Sequence, residues 1–407
     1  MSLVDALFTS TSAICVTGLV VQDTATYFTP MGQTIIMILF QLGGLGIMTF
    51  STLILLVAGR KISIQDRIII QHGYHHGSAM NVKSLIKTIF LYTICIESAG
   101  TLFLFLHWYK QFPGLKGVFH SLFHAISAFC NAGFSLFSTS FVSFRGDIWV
   151  NVTIILLIVF GGLGFLVLSE GIHFFPNMLR RRKLKTSLHS KMVWVVTLFL
   201  VVVSFVFFLL IEWNNSLEGF SIKEKILSSL FQVITPRTAG FNTLDLNTLG
   251  FSTIFLLILL MFIGASPGST GGGIKTNTFG VIFAFMKSKI AGRDSASLFY
   301  RTIPLELIMR AFTLVTLSIG LIFLSCFALF LTQSGMTMKE VFFEVFSAFG
   351  TVGLSLGITS KLTTAGKAVI IITMFIGRIG PLTLLYAFSR EKALGKYEYV
   401  EETVMIG

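Results

Sequence analysis

The sequence predicts an all-α integral membrane protein made of four pseudo-symmetric helix–re-entrant loop–helix repeats around one axis. Three observations predict it: long apolar runs, a short glycine motif that recurs four times, and basic residues gathered in alternate connections.

The chain of 407 residues is 54% hydrophobic and only 12% charged, about half the charged share of a soluble domain. Seven runs approach or exceed the roughly 20 residues that cross a bilayer. They are Gln33–Ala58, Leu85–His107, Trp149–Ile172, Met192–Trp213, Gly250–Met286, Pro304–Thr332 and Lys367–Ser389. The fifth is too long and glycine-rich for one straight helix, and Gly264–Lys275 is expected to break it. Shorter half-apolar pieces, such as Gly117–Ala128 and Phe220–Ile234, read as re-entrant half-helices that return as extended loops.

Each half-helix runs into the recurring motif. It reads SAICVTGL at Ser12–Leu19, SAFCNAGF at Ser127–Phe134, TPRTAGF at Thr235–Phe241 and SAFGTVGL at Ser347–Leu354, at intervals of roughly 110 residues. Glycine takes positive φ at little cost and leaves an axis clear of side chains. Four backbone carbonyls beside four such glycines can replace the hydration shell of a dehydrated monovalent cation. One central pore is therefore expected, with Gly18, Gly133, Gly240 and Gly353, together with Thr17, Ala132, Ala239 and Val352 before them, as its ion-selectivity filter for a monovalent cation such as K⁺. A divalent ion calls for acidic side chains, and the motifs contain none. The short polar side chains of Asn131, Thr238 and Thr351 are expected to help hold the loops, and Cys15 and Cys130 to share a packing role.

Charge sets the orientation. Arg60, Lys61, Arg67, Lys83 and Lys87 share one connection, Arg180–Arg182, Lys183, Lys185 and Lys191 a second, and Lys287, Lys289, Arg293 and Arg301 a third. With Arg390, Lys392 and Lys396 in the tail, all fall on one side if every span crosses once, which makes that side cytoplasmic and the motifs outward. The formal charge of +12 is thus a matter of topology and argues against nucleic acid as a partner. The repeats are expected at 1–58, 59–172, 173–286 and 287–389, with a cytoplasmic tail at 390–407. The chain starts inside the first re-entrant segment, so repeat one is expected to hold a pore loop and inner helix with its outer helix missing.

A second small-residue cluster follows each motif glycine by about 24 to 28 residues, at Gly43–Gly46, Gly161–Gly164, Gly264–Ser266 and Gly377–Gly380. The third expands into Gly264, Ala265, Ser266, Gly268, Ser269, Thr270, Gly271, Gly272, Gly273 and Lys275. With so few large side chains to pack, it reads as a flexible gating loop beneath the filter. Arg378 is the permanent charge deep in the last inner helix, where an arginine is costly and by default functional. It is expected to hold that loop or to repel cations. Lys275 and Arg310 are weaker candidates, and Arg237 is expected to support the third loop through its carbonyls.

These loops, with TPRTAGFN at Thr235–Asn242, MFIGRIGPLT at Met374–Thr383 and the broken third inner helix, resemble the Trk/Ktr/HKT potassium transporter superfamily. The resemblance implies the four filter glycines, Gly264–Gly273 as an intramembrane gating loop and Arg378 as the gate arginine. It also implies a homodimer with one pore per protomer and a cytosolic nucleotide-binding ring of the KtrA type, regulated by ATP, ADP or cyclic di-AMP. Members with serine in the first loop tend to pass sodium, so Gly18 fits potassium. Sodium enters only as a candidate activator, and no organic cofactor is expected.

Other readings are weaker. Gly264-Ala-Ser266-Pro-Gly268 matches GxSxG, but the last histidine is His189, upstream of it, and the surroundings are apolar rather than strand and turn. Ile274 separates Gly273 from Lys275, so no phosphate-binding GxxxxGK exists there. His72, His75 and His76 lack cysteine or acidic ligands at metal spacing. An enzyme is not expected. The serious alternative is an alternating-access carrier coupled to Na⁺ or H⁺, which would also use internal repeats and broken helices.

Overall fold

A computed structural model describes residues 1–46, 82–171, 186–293 and 295–381. The first two basic clusters in large part, the basic tail, the His72–His76 cluster and the far ends of three expected spans lie outside the described residues. Helices account for most of the described chain. They are α1 (Leu3–Ile14), α2 (Pro30–Leu45), α3 (Val82–Trp108), α4 (Leu115–Cys130), α5 (Ile148–Leu163) and α6 (Leu188–Glu212). Then follow α7 (Ile222–Ile234), α8 (Phe251–Phe262), α9 (Thr276–Ile290), α10 (Leu305–Thr332), α11 (Met338–Gly350) and α12 (Thr364–Ile379).

Length sorts them. Ile86–Trp108, Leu188–Glu212 and Leu305–Thr332 are long and apolar enough to cross a membrane. Leu210 and Leu331 on two of them are each 72% exposed, apolar surface on a scale that lipid rather than water covers. The remaining helices are mostly half-length: 16 residues, as in α2, α5 and α12, make about 24 Å. Sequence dictates both ends of these helices. Ser2, Thr29, Asp147, Ser221, Thr337 and Thr363 accept hydrogen bonds from the N–H groups of the first turn. Glycines stop the inner helices, since Gly46, Gly164 and Gly380 take φ of 83°, 90° and 92°.

Those stops correct the sequence reading in one respect. Three inner spans were expected to continue through their small-residue clusters. Instead α5 turns by 105° into a helix over Phe165–Gly171, and α2 and α12 end at Gly46 and Gly380. Left-handed glycine backbone breaks each helix although its hydropathy does not. In the third segment the break is longer, as expected, with Ile263 and Ile274 bridging the two sides of the loop.

Helix packing closes a ring. The inner helix of each segment packs on the next half-length helix: α2 on α4, α5 on α7, α8 on α11, and α12 on α1. Aromatic side chains fill the seams; Phe40 meets Phe123 edge-on at 5.4 Å and Phe141 meets Phe241 at 5.2 Å. The long α3, α6 and α10 lie against their own segments' shorter helices. At the α12–α1 closure, where no chain connection joins the ends, Lys367 donates to Asp5 at 2.6 Å.

Candidate functional site

α1, α4, α7 and α11 each end in a loop of the same construction. The hydroxyl residue that opens the motif accepts through its own carbonyl from the N–H of the residue before the glycine. These bonds are Thr17 N to Ser12 O at 2.8 Å, Ala132 N to Ser127 O at 2.8 Å, Ala239 N to Thr235 O at 2.9 Å and Val352 N to Ser347 O at 2.8 Å. The hydroxyls fasten the far side: Gly18 N and Gly353 N donate to Ser12 Oγ and Ser347 Oγ, each at 3.1 Å. Ser127 Oγ and Thr235 Oγ1 donate to the carbonyls of Phe134 and Phe241 at 2.7 and 2.5 Å.

Two residues before each glycine the backbone is left-handed: Val16, Asn131, Thr238 and Thr351 have φ of 56°, 58°, 73° and 50°. Left-handed backbone is tolerated by Asn131 but unfavourable for the β-branched Val16, Thr238 and Thr351, and there it persists only where the surroundings over-determine it. Here the paired hydroxyl and backbone bonds do so. The glycines follow at φ of 89°, 71°, 78° and 91°.

The four glycines lie side by side in chain order. A Cβ built on Gly18 would fall 2.4 Å from the Ala132 carbonyl oxygen, one on Gly133 3.0 Å from that of Ala239, and one on Gly240 2.4 Å from that of Val352. One on Gly353 would fall 2.1 Å from the Thr17 oxygen, which closes the circle. Every glycine thus abuts the preceding-residue carbonyl of the next loop, always in the same sense. All eight residues singled out from the sequence meet at this ring. α1, α4, α7 and α11 point their C-terminal ends at it, and such ends carry partial negative charge. Backbone dipoles and helix ends without carboxylates suit a monovalent cation.

Directly against the ring sits the Gly264–Lys275 loop. A Cβ on Gly271 would meet Thr238 Oγ1 at 2.1 Å, and one on Gly272 would meet Thr351 Oγ1 at 2.4 Å. Gly272 N donates to Thr351 Oγ1 at 3.1 Å. Ser266 N and Thr270 N donate to the carbonyls of Gly162 and Gly161 at 3.0 and 3.2 Å, and Gly273 N to that of Gly377 at 3.3 Å. Gly268, with φ of 69°, gives its carbonyl to Phe165 N at 3.0 Å. Ala265, Ser266 and Thr270 are fully buried, whereas Ser269 carries a buried hydroxyl without a partner. Lys275 curls back, donating from Nζ to the Gly271 and Gly272 carbonyls at 2.5 and 3.4 Å. Arg378 donates to the carbonyls of Thr270 and Gly43. The small residues are thus needed for close approach, and the loop is hydrogen-bonded to the second and fourth segments.

Other candidates separate from the site or change meaning. Arg310 is a surface residue paired with Glu306 at 2.6 Å within α10. Arg237, 6% exposed, donates from Nη2 to Thr197 Oγ1 of α6 at 3.1 Å, so its hydrogen bond goes to an outer helix and not to loop carbonyls. Cys15 and Cys130 differ as well. Both pack in apolar clusters, and the Cys130 thiol in addition donates to Gln41 Oε1 at 3.1 Å. Gln41 and Glu97, which the sequence reading passed over, are 89 and 33 positions from Cys130, and no local pattern marks them.

Comparison with known proteins agrees in fold and family. The family TrkH, described as cation transport protein, matches residues 1–398. The chain is 44% identical over 393 residues to Ktr system potassium uptake protein B of Bacillus subtilis (strain 168), spanning 96% of this chain and 86% of that protein. It is 38% identical over 417 residues to the Vibrio alginolyticus protein of the same description, covering 100% of this chain and 89% of the relative. Potassium/sodium uptake protein NtpJ of Enterococcus hirae is 36% identical over 410 residues, across 99% of this chain and 90% of its own. The crystal structure of the potassium transporter TrkH from Vibrio parahaemolyticus superposes with a TM-score of 0.73, over 96% of this chain and 79% of that one, at 21% identity. That likeness shows the fold.

Proposed function

This chain belongs to the TrkH family of cation transport proteins, and we propose that within it the chain is the potassium-translocating membrane subunit of a Ktr-type uptake system. As a multi-pass member of a transport family it is not an enzyme. K⁺ is the cargo. It sheds water at the carbonyls of Thr17, Ala132, Ala239 and Val352 and their glycines, which act as the selectivity filter. Gly264–Lys275 is the gate beneath it, and Arg378 holds that gate shut from the last inner helix.

The observation that carries this reading is the closed circle of four glycine loops, each backed by a helix C-terminus. Every loop contributes in the same orientation about one axis, which supports passive flux over coupled transport. The gate's bonds to the second and fourth segments, and through Arg378 to the first, support a blocked state that needs a trigger. A KtrA-type cytosolic ring binding ATP or ADP supplies the trigger in this proposal, acting on a homodimer. Na⁺ serves at most as an activator.

Uptake of radioactive rubidium into proteoliposomes, with and without such a partner, tests it. Passive, uncoupled flux that potassium competes away is expected. Strict coupling to a sodium or proton gradient would favour the alternating-access carrier instead, and no rubidium uptake in either condition would end the proposal.

A further inference from the structure

Cys130 is the last residue of α4, next to left-handed Asn131 and three before Gly133. Its thiol starts a short polar chain. The thiol donates to Gln41 Oε1 at 3.1 Å, Gln41 Nε2 donates to Glu97 Oε2 at 3.2 Å, and Glu97 Oε1 lies 3.9 Å from the sulfur. The three residues come from α4, α2 and α3. Glu97 is 7% exposed and Cys130 fully buried.

Packing alone would be served by leucine at position 97. A buried carboxyl inside a membrane-length helix is costly, and among the described residues no cation forms a salt bridge with it. The geometry gives it a use. The glutamine amide is fixed by the carboxyl, and the thiol is fixed by the amide, so the end of α4 cannot shift without breaking the chain. Gly44 lies so close that a Cβ there would be 2.7 Å from the sulfur, which pins the thiol from the α2 side.

The third loop offers an independent parallel. Arg237 stands at the same offset, three residues before Gly240, and is also tied to its own segment's outer helix, through Thr197. The first and fourth loops carry Cys15, in apolar surroundings, and Gly350 at that offset. Two of the four loops are therefore tethered outward to α3 and α6.

We infer that Glu97, acting through Gln41, is a positioning residue that holds Cys130 and the Asn131–Gly133 carbonyls where they discriminate potassium from sodium. The inference rests on the transport function proposed above. Its test compares rubidium and sodium uptake in proteoliposomes for the full chain and four variants. Glu97→Leu, Gln41→Leu and Cys130→Ala should each lower the rubidium-to-sodium ratio, by about fivefold or more for the first two. Glu97→Gln keeps a hydrogen-bonding acceptor and should stay within about twofold of wild type. Size-exclusion elution and thermal stability report folding, and Gln41→Leu and Cys130→Ala carry the test if Glu97→Leu does not fold. A wild-type ratio in folded Gln41→Leu and Cys130→Ala would overturn the inference, as would Glu97→Gln losing as much selectivity as Glu97→Leu. Wild-type protein carrying no rubidium would instead overturn the transport reading, and this inference with it.

Discussion

Arg378 reaches back 108 positions to the carbonyl of Thr270, so the last inner helix directly grips the loop that interrupts the third. Its other terminal nitrogen holds the Gly43 carbonyl at the end of α2. One guanidinium therefore bonds three segments of the ring together around the loop.

Releasing that grip should open the protein. Hydrogen bonds from charged groups contribute about 1.5–3 kcal/mol each, and about 1.4 kcal/mol is a factor of ten in an equilibrium. Arg378→Gln, whose amide can keep one of the two bonds, is expected to raise rubidium influx at least about tenfold without the partner subunit. Arg378→Lys, a point charge lacking the planar fork, should fall between. Influx unchanged in both, at equal protein per vesicle, would show that the grip does not limit transport.

Shortening the loop tests the same idea by another route. Deleting Ala265–Gly273 removes the bonds to Gly161, Gly162, Thr351 and Gly377 together. Influx should exceed wild type and become insensitive to any regulatory subunit. A deletion variant that elutes as wild type yet transports less would contradict a blocking role.

How far the sequence discloses this arrangement depends on the range of the interaction. Gly18, Gly133, Gly240 and Gly353 are visible because each follows, by five or six residues, a serine or threonine that folds its own loop. That signal is local and repeats. The breaks at Gly46, Gly164 and Gly380 are not visible in hydropathy, since apolar residues continue on both sides, and a single left-handed glycine decides the outcome. Gln41 and Glu97 are hidden for a different reason. Their contact with Cys130 exists only once α2, α3 and α4 have packed, and neither spacing nor composition encodes it. Arg237 was visible as a charge within the third motif, but its partner Thr197 lies 40 positions upstream on a largely apolar helix.

The ring predicts an order of sensitivity among its glycines. Alanine at any of them meets positive φ, a strain of about 1–2 kcal/mol. Steric crowding then separates them, because the nearest atom to a Cβ is 2.1 Å away at Gly353, 2.4 Å at Gly18 and Gly240, and 3.0 Å at Gly133. Gly133→Ala should retain the most potassium uptake and Gly353→Ala the least, measured by growth of an uptake-deficient bacterium on limiting potassium. Equal losses at all four would mean that strain, not crowding at the shared centre, sets the effect.

The Asp5–Lys367 pair at the ring's closure makes stability depend on pH in a predictable direction. The Lys367 ammonium donating to Asp5 is the largest influence holding that carboxyl below its ordinary value of 3.8, helped by Ser2. Because folding lowers this pKa, the unfolded chain binds the proton more readily. The pair's contribution is therefore fully present above about pH 4 and fades as pH falls through the lowered value. Asp5→Asn removes the dependence and leaves Lys367, only 16% exposed, without its counter-charge. Breaking a buried pair on one side costs about 3–5 kcal/mol, and partial exposure here brings the expectation toward about 2. Thermal unfolding in detergent at neutral pH should show Asp5→Asn and Lys367→Met each destabilised, and Asp5→Asn combined with Lys367→Met less so than their sum. Additive losses in the double variant would mean that the two side chains do not act as a pair across the closure.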